Sequence, residues 1–265
     1  GLMLLRGIGV KPNKKEAAKY LKYAADKGDI QSMVLYGIML NNGDGIELDW
    51  KEAARYFKMA ADKGDHQAMF SYAMMIDQGK GVKMNKEEAN KYYKMVIDKG
   101  NHNAMYIYGN NLYHSYGIKE NKKEAAKYFK LSANKGCPDA MLNYGWMLMN
   151  GEEIPKDMNE GIRYIKMAVD FGLKKAIPIY EDLKKEGIVD IVNNIENAKK
   201  LAESGDTDAM LGYGQLLLIG EVIEKDINKA IFYIKKSADQ GNKDAILHYA
   251  VLRLHGDKIP KDKNE

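Results

Sequence analysis

The sequence predicts an all-α solenoid of stacked helix–turn–helix units, and three observations carry that prediction. Gly28, Gly64, Gly100, Gly136, Gly172, Gly205 and Gly241 are spaced 36, 36, 36, 36, 33 and 36 residues apart. Eight residues after each stands a tyrosine: Tyr36, Tyr72, Tyr108, Tyr144, Tyr180, Tyr213 and Tyr249. The 25 glycines, about 9% of 265 residues, exceed the usual share in a chain otherwise rich in helix formers. All but Gly161 and Gly212 fall in four recurrent slots, those of Gly28, Gly37, Gly43 and Gly45. Units of this period cannot bury an apolar face alone, so they stack on their neighbours.

The first helix of each unit is expected to run from about Lys14 to Lys27. Asn13 precedes it, with Glu16 three residues on, and the pattern recurs at Asp49/Glu52, Asn85/Glu88, Asn121/Glu124 and Asp157/Glu160. It is read again at Asn193/Glu196 and Asp262/Glu265. A side-chain acceptor at the N-cap with Glu at the third helical position satisfies the orphan N–H groups of a helix start. Gly28 then supplies the left-handed residue that ends the helix. Asp29 caps the second helix, expected over about Ile30 to Asn42 and closed by Gly43 and Gly45. Pro138 follows such a cap slot, where its missing N–H costs nothing. Gly1–Arg6 matches the end of a second helix, and Asp262–Glu265 the start of a first. Residues 1–265 are therefore expected to form a single array of about seven repeats, truncated mid-repeat at both ends.

The unit reads Ala17-x-x-Tyr20-Leu21-x-x-Ala24-Ala25-x-x-Gly28, then Ser32-Met33-x-x-Tyr36-Gly37-x-x-Leu40-x-x-Gly43-x-Gly45-Ile46. The next gives Ala53-x-x-Tyr56-Phe57-x-x-Ala60-Ala61-x-x-Gly64 and Gly79-x-Gly81-Val82. This resembles the Sel1-like repeat family, relatives of tetratricopeptide (TPR) repeats, over essentially the whole chain. One departure is that the slot before the helical Gly, Leu in the family, is Tyr here. The resemblance implies a right-handed α-solenoid (superhelix) acting as a non-enzymatic scaffold or adaptor for protein complexes. A cysteine-rich branch of the family is associated with β-lactam binding or hydrolysis and carries a disulfide per repeat. The lone Cys137 sets this chain outside that branch, which leaves a divergent hydrolase, or a structural spacer, as alternatives.

Periodicity separates the faces of the second helix. Met33, Tyr36, Gly37 and Leu40 cluster on one side at 100° per residue, with small residues in the Ser32 slot letting a neighbour come close. A further stripe remains at the slots of Val34, Ile38 and Asn41. By analogy with the tetratricopeptide relatives this stripe lines a concave groove. Phe70, Met74, Tyr106 and Tyr113, continued by Leu142, Trp146 and Met149, are then the anchors for a peptide, helix or partner domain. The competing reading is that tight curvature buries the stripe as core. On the first helix, Lys22, Lys58, Lys94, Lys130, Lys166, Lys199 and Lys235 form a second stripe. Acidic residues four positions later, as at Asp26 and Asp62, are expected to compensate it. With a net charge of only +4, no nucleic-acid partner is expected.

The fifth unit departs in several places: Gly161 replaces Ala, Pro178 is expected inside the second helix, and Glu181 takes the close-approach slot. The loop of residues 187–193 is expected to be three residues short. A Glu where helices touch is costly unless it reaches water or a partner such as Lys174, Lys184 or Lys185. Two readings stand: neutral drift in a tolerant array, or a break near 172–190 that divides it into sub-arrays.

Catalytic and metal signatures are not found. The histidines His66, His102, His114, His248 and His255 form no HExxH or Cys/His cluster. There is no GxSxG or Walker loop, and no cofactor is expected. No apolar run approaches ~18 residues, so no membrane-inserted helix is expected in this segment. The lack of Asn-x-Ser/Thr slightly favours the cytoplasm, while the family's endoplasmic-reticulum adaptors point the other way.

Overall fold

The computed structural model describes residues 1–220 and 223–254, and among these there are fifteen α-helices and no strand. The chain divides into two compact units, residues 1–137 and 138–265. The expected interruption near 172–190 lies inside the second. Asp262–Glu265 and His255 lie outside the described residues.

In the first unit, α1 (Leu2–Arg6) is followed by three helix pairs, α2 (Lys14–Asp26) with α3 (Ile30–Asn42), α4 (Trp50–Asp62) with α5 (His66–Gln78), and α6 (Lys86–Ile97) with α7 (His102–His114). The helix α8 (Lys122–Asn134) completes it, and each helix packs on its neighbours in sequence. The caps form as the sequence encodes them. Asn13, Asp49, Asn85 and Asn121 each accept a hydrogen bond from the backbone N–H of the Glu three residues on. Asp29, Asp65 and Asn101 do the same for the second helices. Such caps are worth about 1 kcal/mol each. In the loops, Gly81 lies at φ +70°, and a Cβ there would overlap the Trp50 carbonyl. The second glycine of the loop is thus where backbone crosses backbone.

The second unit contains α9 (Pro138–Asn150), α10 (Met158–Asp170), α11 (Ala176–Lys185), α12 (Ile188–Ser204), α13 (Thr207–Ile219), α14 (Ile227–Asp239) and α15 (Lys243–Leu254). Asp157, Asp206 and Asp226 cap α10, α13 and α14. Asp226 escapes the sequence signature because Lys229 stands where Glu is usual. Gly145 and Gly161 face each other: a Cβ on Gly145 would lie 2.7 Å from the Gly161 carbonyl oxygen, and one on Gly161 2.8 Å from that of Gly145. Gly161 is therefore a close-contact residue, the second half of a glycine crossing between α9 and α10.

Pro178 lies inside the second helix as expected, but in its first turn: α11 begins at Ala176, so the proline's N–H would have no helical acceptor. Two expectations for the fifth unit are corrected. Residues 187–193 are not a short loop: Gly187, at φ 73°, turns the chain straight into the 17-residue α12. Asn193 and Glu196 consequently lie within that helix and form no cap. The cause is the apolar spacing of Val189, Val192 and Ile195, all buried, which extends the helical face upstream.

A tyrosine ladder runs through the regular repeats. Tyr36–Tyr56, Tyr72–Tyr92 and Tyr108–Tyr128 meet edge to face in the first unit, as do Tyr144–Tyr164 and Tyr213–Tyr233 in the second. Ring centroids lie 4.9 to 5.3 Å apart, and such pairs contribute about 0.5–1.5 kcal/mol beyond area burial. Tyr180 has no such partner within reach of its repeat, since no tyrosine occurs between it and Tyr213. The Lys184 ammonium lies 5.0 Å from its ring instead.

Candidate interaction surface

The second helices α3, α5, α7 and α9 are almost free of charge. The helix α3 contains no acidic or basic residue, and the Asp77 of α5 and Asp139 of α9 are tied to Lys86 and Lys175. Charge is concentrated on the first helices. There Tyr56 donates a 2.6 Å hydrogen bond from α4 to Asp26 of α2, which also accepts from Lys22 at 2.8 Å. Lys22 first, and the Tyr56 hydroxyl second, hold the Asp26 carboxyl below the usual carboxylate range. Lys58 and Lys166 pair with Asp62 and Asp170 in the same i,i+4 manner.

The seven stripe residues occupy different environments. In the first unit, Phe70, Met74, Tyr106 and Tyr113 are half-buried. Phe70 packs on Tyr93, its ring centroid 6.0 Å away, while Tyr106 and Tyr113 both pack on Phe129, at 6.1 and 6.4 Å. Tyr113 also meets His114 edge to face, and the Lys122 ammonium lies 4.9 Å from its ring. In the second unit, Leu142 and Met149 are buried, each 8% exposed, and belong to the core. Trp146 is 46% exposed and presents its indole to solvent.

Reading the repeat columns for polar residues in apolar slots would also have revealed a cluster specific to α6 and α7. Asn90 replaces the alanine of the Ala18 slot, and Asn111 replaces the methionine of the Met39 slot. Both are buried. The Asn111 amide donates to Asn90 at 2.7 Å, and Asn90 donates to the Tyr116 carbonyl at 2.8 Å, fixing the loop after α7. Nearby, the Tyr93 hydroxyl is buried without a hydrogen-bond partner. Burial, with the Asp77 carboxylate close by, pushes its pKa well above the ordinary tyrosine value. Asp77 itself is held by Lys86 at 2.8 Å.

Among the described residues, no group of three or more His, Cys, Asp or Glu side chains is placed to hold a metal ion. Cys137 is a buried free thiol. In the fifth unit, Glu181 is exposed and bonded to Lys184 at 3.2 Å. Turning outward relieves the burial that its slot would otherwise impose.

The family model described as the Sel1 repeat matches residues 1–29, 30–65, 66–101, 102–137, 138–170 and 207–242. Residues 171–206, between the fifth and sixth matches, hold α11 and α12. A crystal structure of a protective antigen present in uropathogenic Escherichia coli strains, displaying an SLR fold, superposes with a TM-score of 0.67 at 23% identity over 96% of this chain. A Sel1 repeat protein from Oxalobacter formigenes superposes with a TM-score of 0.58 at 22% identity over 95%. The chain spans 55% and 63% of the lengths of these two proteins. No curated protein matches it.

Proposed function

We propose that this protein uses the exposed face of its second helices to hold a protein partner, from the premise that the chain belongs to the Sel1 repeat family. Proteins of this repeat generally act as non-enzymatic scaffolds for protein–protein contacts. The observation that carries the finer reading is the character of that face. Second helices whose stripe in α3, α5, α7 and α9 holds a single charge, Asp77, tied to Lys86, yet leaves the Trp146 indole in water, suit an aromatic anchor for a desolvated contact. Phe70, Met74, Tyr106 and Tyr113 of the first unit offer half-buried aromatic and thioether surface of the same kind, the three aromatics already packed on Tyr93 and Phe129. Leu142 and Met149 act in this reading as support beneath the surface. The occupant is a peptide, a helix or a partner domain.

Affinity capture with the intact chain and with Trp146→Ala tests the reading. Loss of a captured protein, with the thermal midpoint unchanged, is the expected result. Equal capture by both chains would leave a structural spacer, and a large fall in stability would make Trp146 part of the core.

A further inference from the structure

The first helices of residues 1–137 carry an outer surface that neither the core nor the second-helix face uses. One slot on it holds Tyr23, Met59, Met95 and Leu131, each 36 residues from the next. Tyr23 is 67% exposed, Met95 50% and Leu131 48%. Four residues earlier stand Lys19, Arg55, Lys91 and Lys127, and four later stand Lys27, Lys63, Lys99 and Lys135, all exposed. Residues at i−4 and i share one side of a helix, and the later lysines stand at the helix ends, as C-caps at Lys27, Lys63 and Lys135 and one residue further on at Lys99. Each first helix therefore presents a basic–apolar row closed by a lysine.

The rows are neighbours. Tyr56 of α4 reaches Asp26 of α2, Tyr92 of α6 lies in the field of Lys58 and Asp62 of α4, and Tyr128 of α8 in that of Asp98 of α6. The rows are only partly compensated. Asp26 and Asp62 pair with Lys22 and Lys58, which lie outside the rows, and Glu52 pairs with Arg55, which belongs to them, while Glu16, Glu87, Glu88, Asp98 and Glu124 stand beside the rows on the same helices or at their ends. The seven lysines of the rows make no ion pair among the described residues. Residues 1–137 contain 23 Lys and Arg against 15 Asp and Glu, whereas residues 138–265 contain 18 against 22. In the second unit the pattern lapses: the matching residues are Arg163, Met167 and Phe171 on α10 and its end, and Phe232, Lys236 and Gln240 on α14 and its end.

We propose that this face of residues 1–137 adsorbs to an anionic lipid bilayer. The lysines reach headgroup phosphates and carboxylates on long apolar stems, and Tyr23, Met59, Met95 and Leu131 enter the interfacial layer between them. The exposed apolar row favours lipid over nucleic acid. Met and Leu gain nothing from a phosphate backbone, and Tyr23 is the row's one aromatic for stacking on bases. Lysine in seven of the eight flanking positions is point-charge chemistry rather than bidentate readout. Adsorption needs no spanning helix, and among the described residues no helix is long and apolar enough to cross a membrane. The face is separate from the second-helix surface, so the two proposals fail independently.

Sedimentation of the full chain with vesicles tests this, using phosphatidylcholine alone and phosphatidylcholine containing phosphatidylserine. Binding to the second only, and its release by salt, is the expected result. Lys91→Glu/Lys99→Glu/Lys127→Glu should weaken it by about fivefold or more per lysine, while Lys174→Glu/Lys199→Glu/Lys243→Glu, with the same change in net charge, leaves it intact. Met95→Ser/Leu131→Ser, at exposed positions, should weaken vesicle binding with an unchanged helical circular dichroism spectrum. The proposal is overturned by no phosphatidylserine-dependent binding, or by equal loss in the two lysine triples. Duplex DNA binding tighter than vesicle binding and indifferent to Met95→Ser/Leu131→Ser would overturn it too and assign the face to nucleic acid.

Discussion

The helix pairs α9–α10 and α11–α12 sit next to each other in one unit and solve the same packing problem differently. In α9–α10, Gly145 and Gly161 let two backbones touch, Tyr144 meets Tyr164 edge to face, and Asp157 caps the helix start. In α11–α12 there is no glycine contact, no tyrosine pair and no side-chain cap at either helix start. A longer helix with its own buried apolar row, Val189, Val192 and Ile195, takes their place. A repeat contact can thus be lost without losing the array, provided that the polar residue left behind turns to water, as Glu181 does.

The sharpest way to break that comparison is to exchange the chemistry of one slot. Gly145→Glu puts the residue that α11 tolerates into the crossing of α9 and α10. It should destabilise the protein by about 3 kcal/mol or more, because overpacking adds to burial of an unpaired charge. Denaturant titration measures this, and a loss under 1 kcal/mol would mean that the crossing is not tight.

Alkaline pH acts on the regular repeats next. Burial raises the tyrosine pKa values at Tyr36, Tyr72, Tyr108, Tyr144 and Tyr213. Above about pH 10 the unfolded chain releases these protons while the folded chain keeps them, so stability falls as pH rises. Absorbance at alkaline pH should show these tyrosines ionising late, together with unfolding. Early ionisation without unfolding would mean that the ladder is open to water.

The smallest effect belongs to Glu181→Ala. An exposed ion pair to Lys184 is worth little, so stability should stay within about 0.5 kcal/mol of the parent. A larger loss would give Glu181 a structural role that its exposure does not suggest.

Much of this was legible in the residues. Asn13, Asp49, Asn85, Asn121 and Asp157 announce helix starts because a cap is a hydrogen bond between residues three apart. Gly28 and Gly43 announce helix ends because only a residue tolerant of positive φ closes a turn there. The start of α12 was not legible, since Asn193 and Glu196 mimic a cap and only burial of Val189 and Val192 extends the helix past it. The stripe on the second helices had one periodicity yet divided into half-buried Tyr106, buried Leu142 and Met149, and exposed Trp146. Periodicity gives direction around a helix axis, and exposure depends on what stands opposite.

By itself, the sequence determined the all-α repeat, its period, its caps and its family, because each rests on interactions closed within a few residues or copied every 36. Tertiary structure alone decided that Gly161 faces Gly145, that Glu181 turns outward, and that Lys22 is neutralised by Asp26 while Lys19 and Lys27 are not. These are contests between side chains for partners and for solvent, and their outcome is set by neighbours that local pattern does not specify.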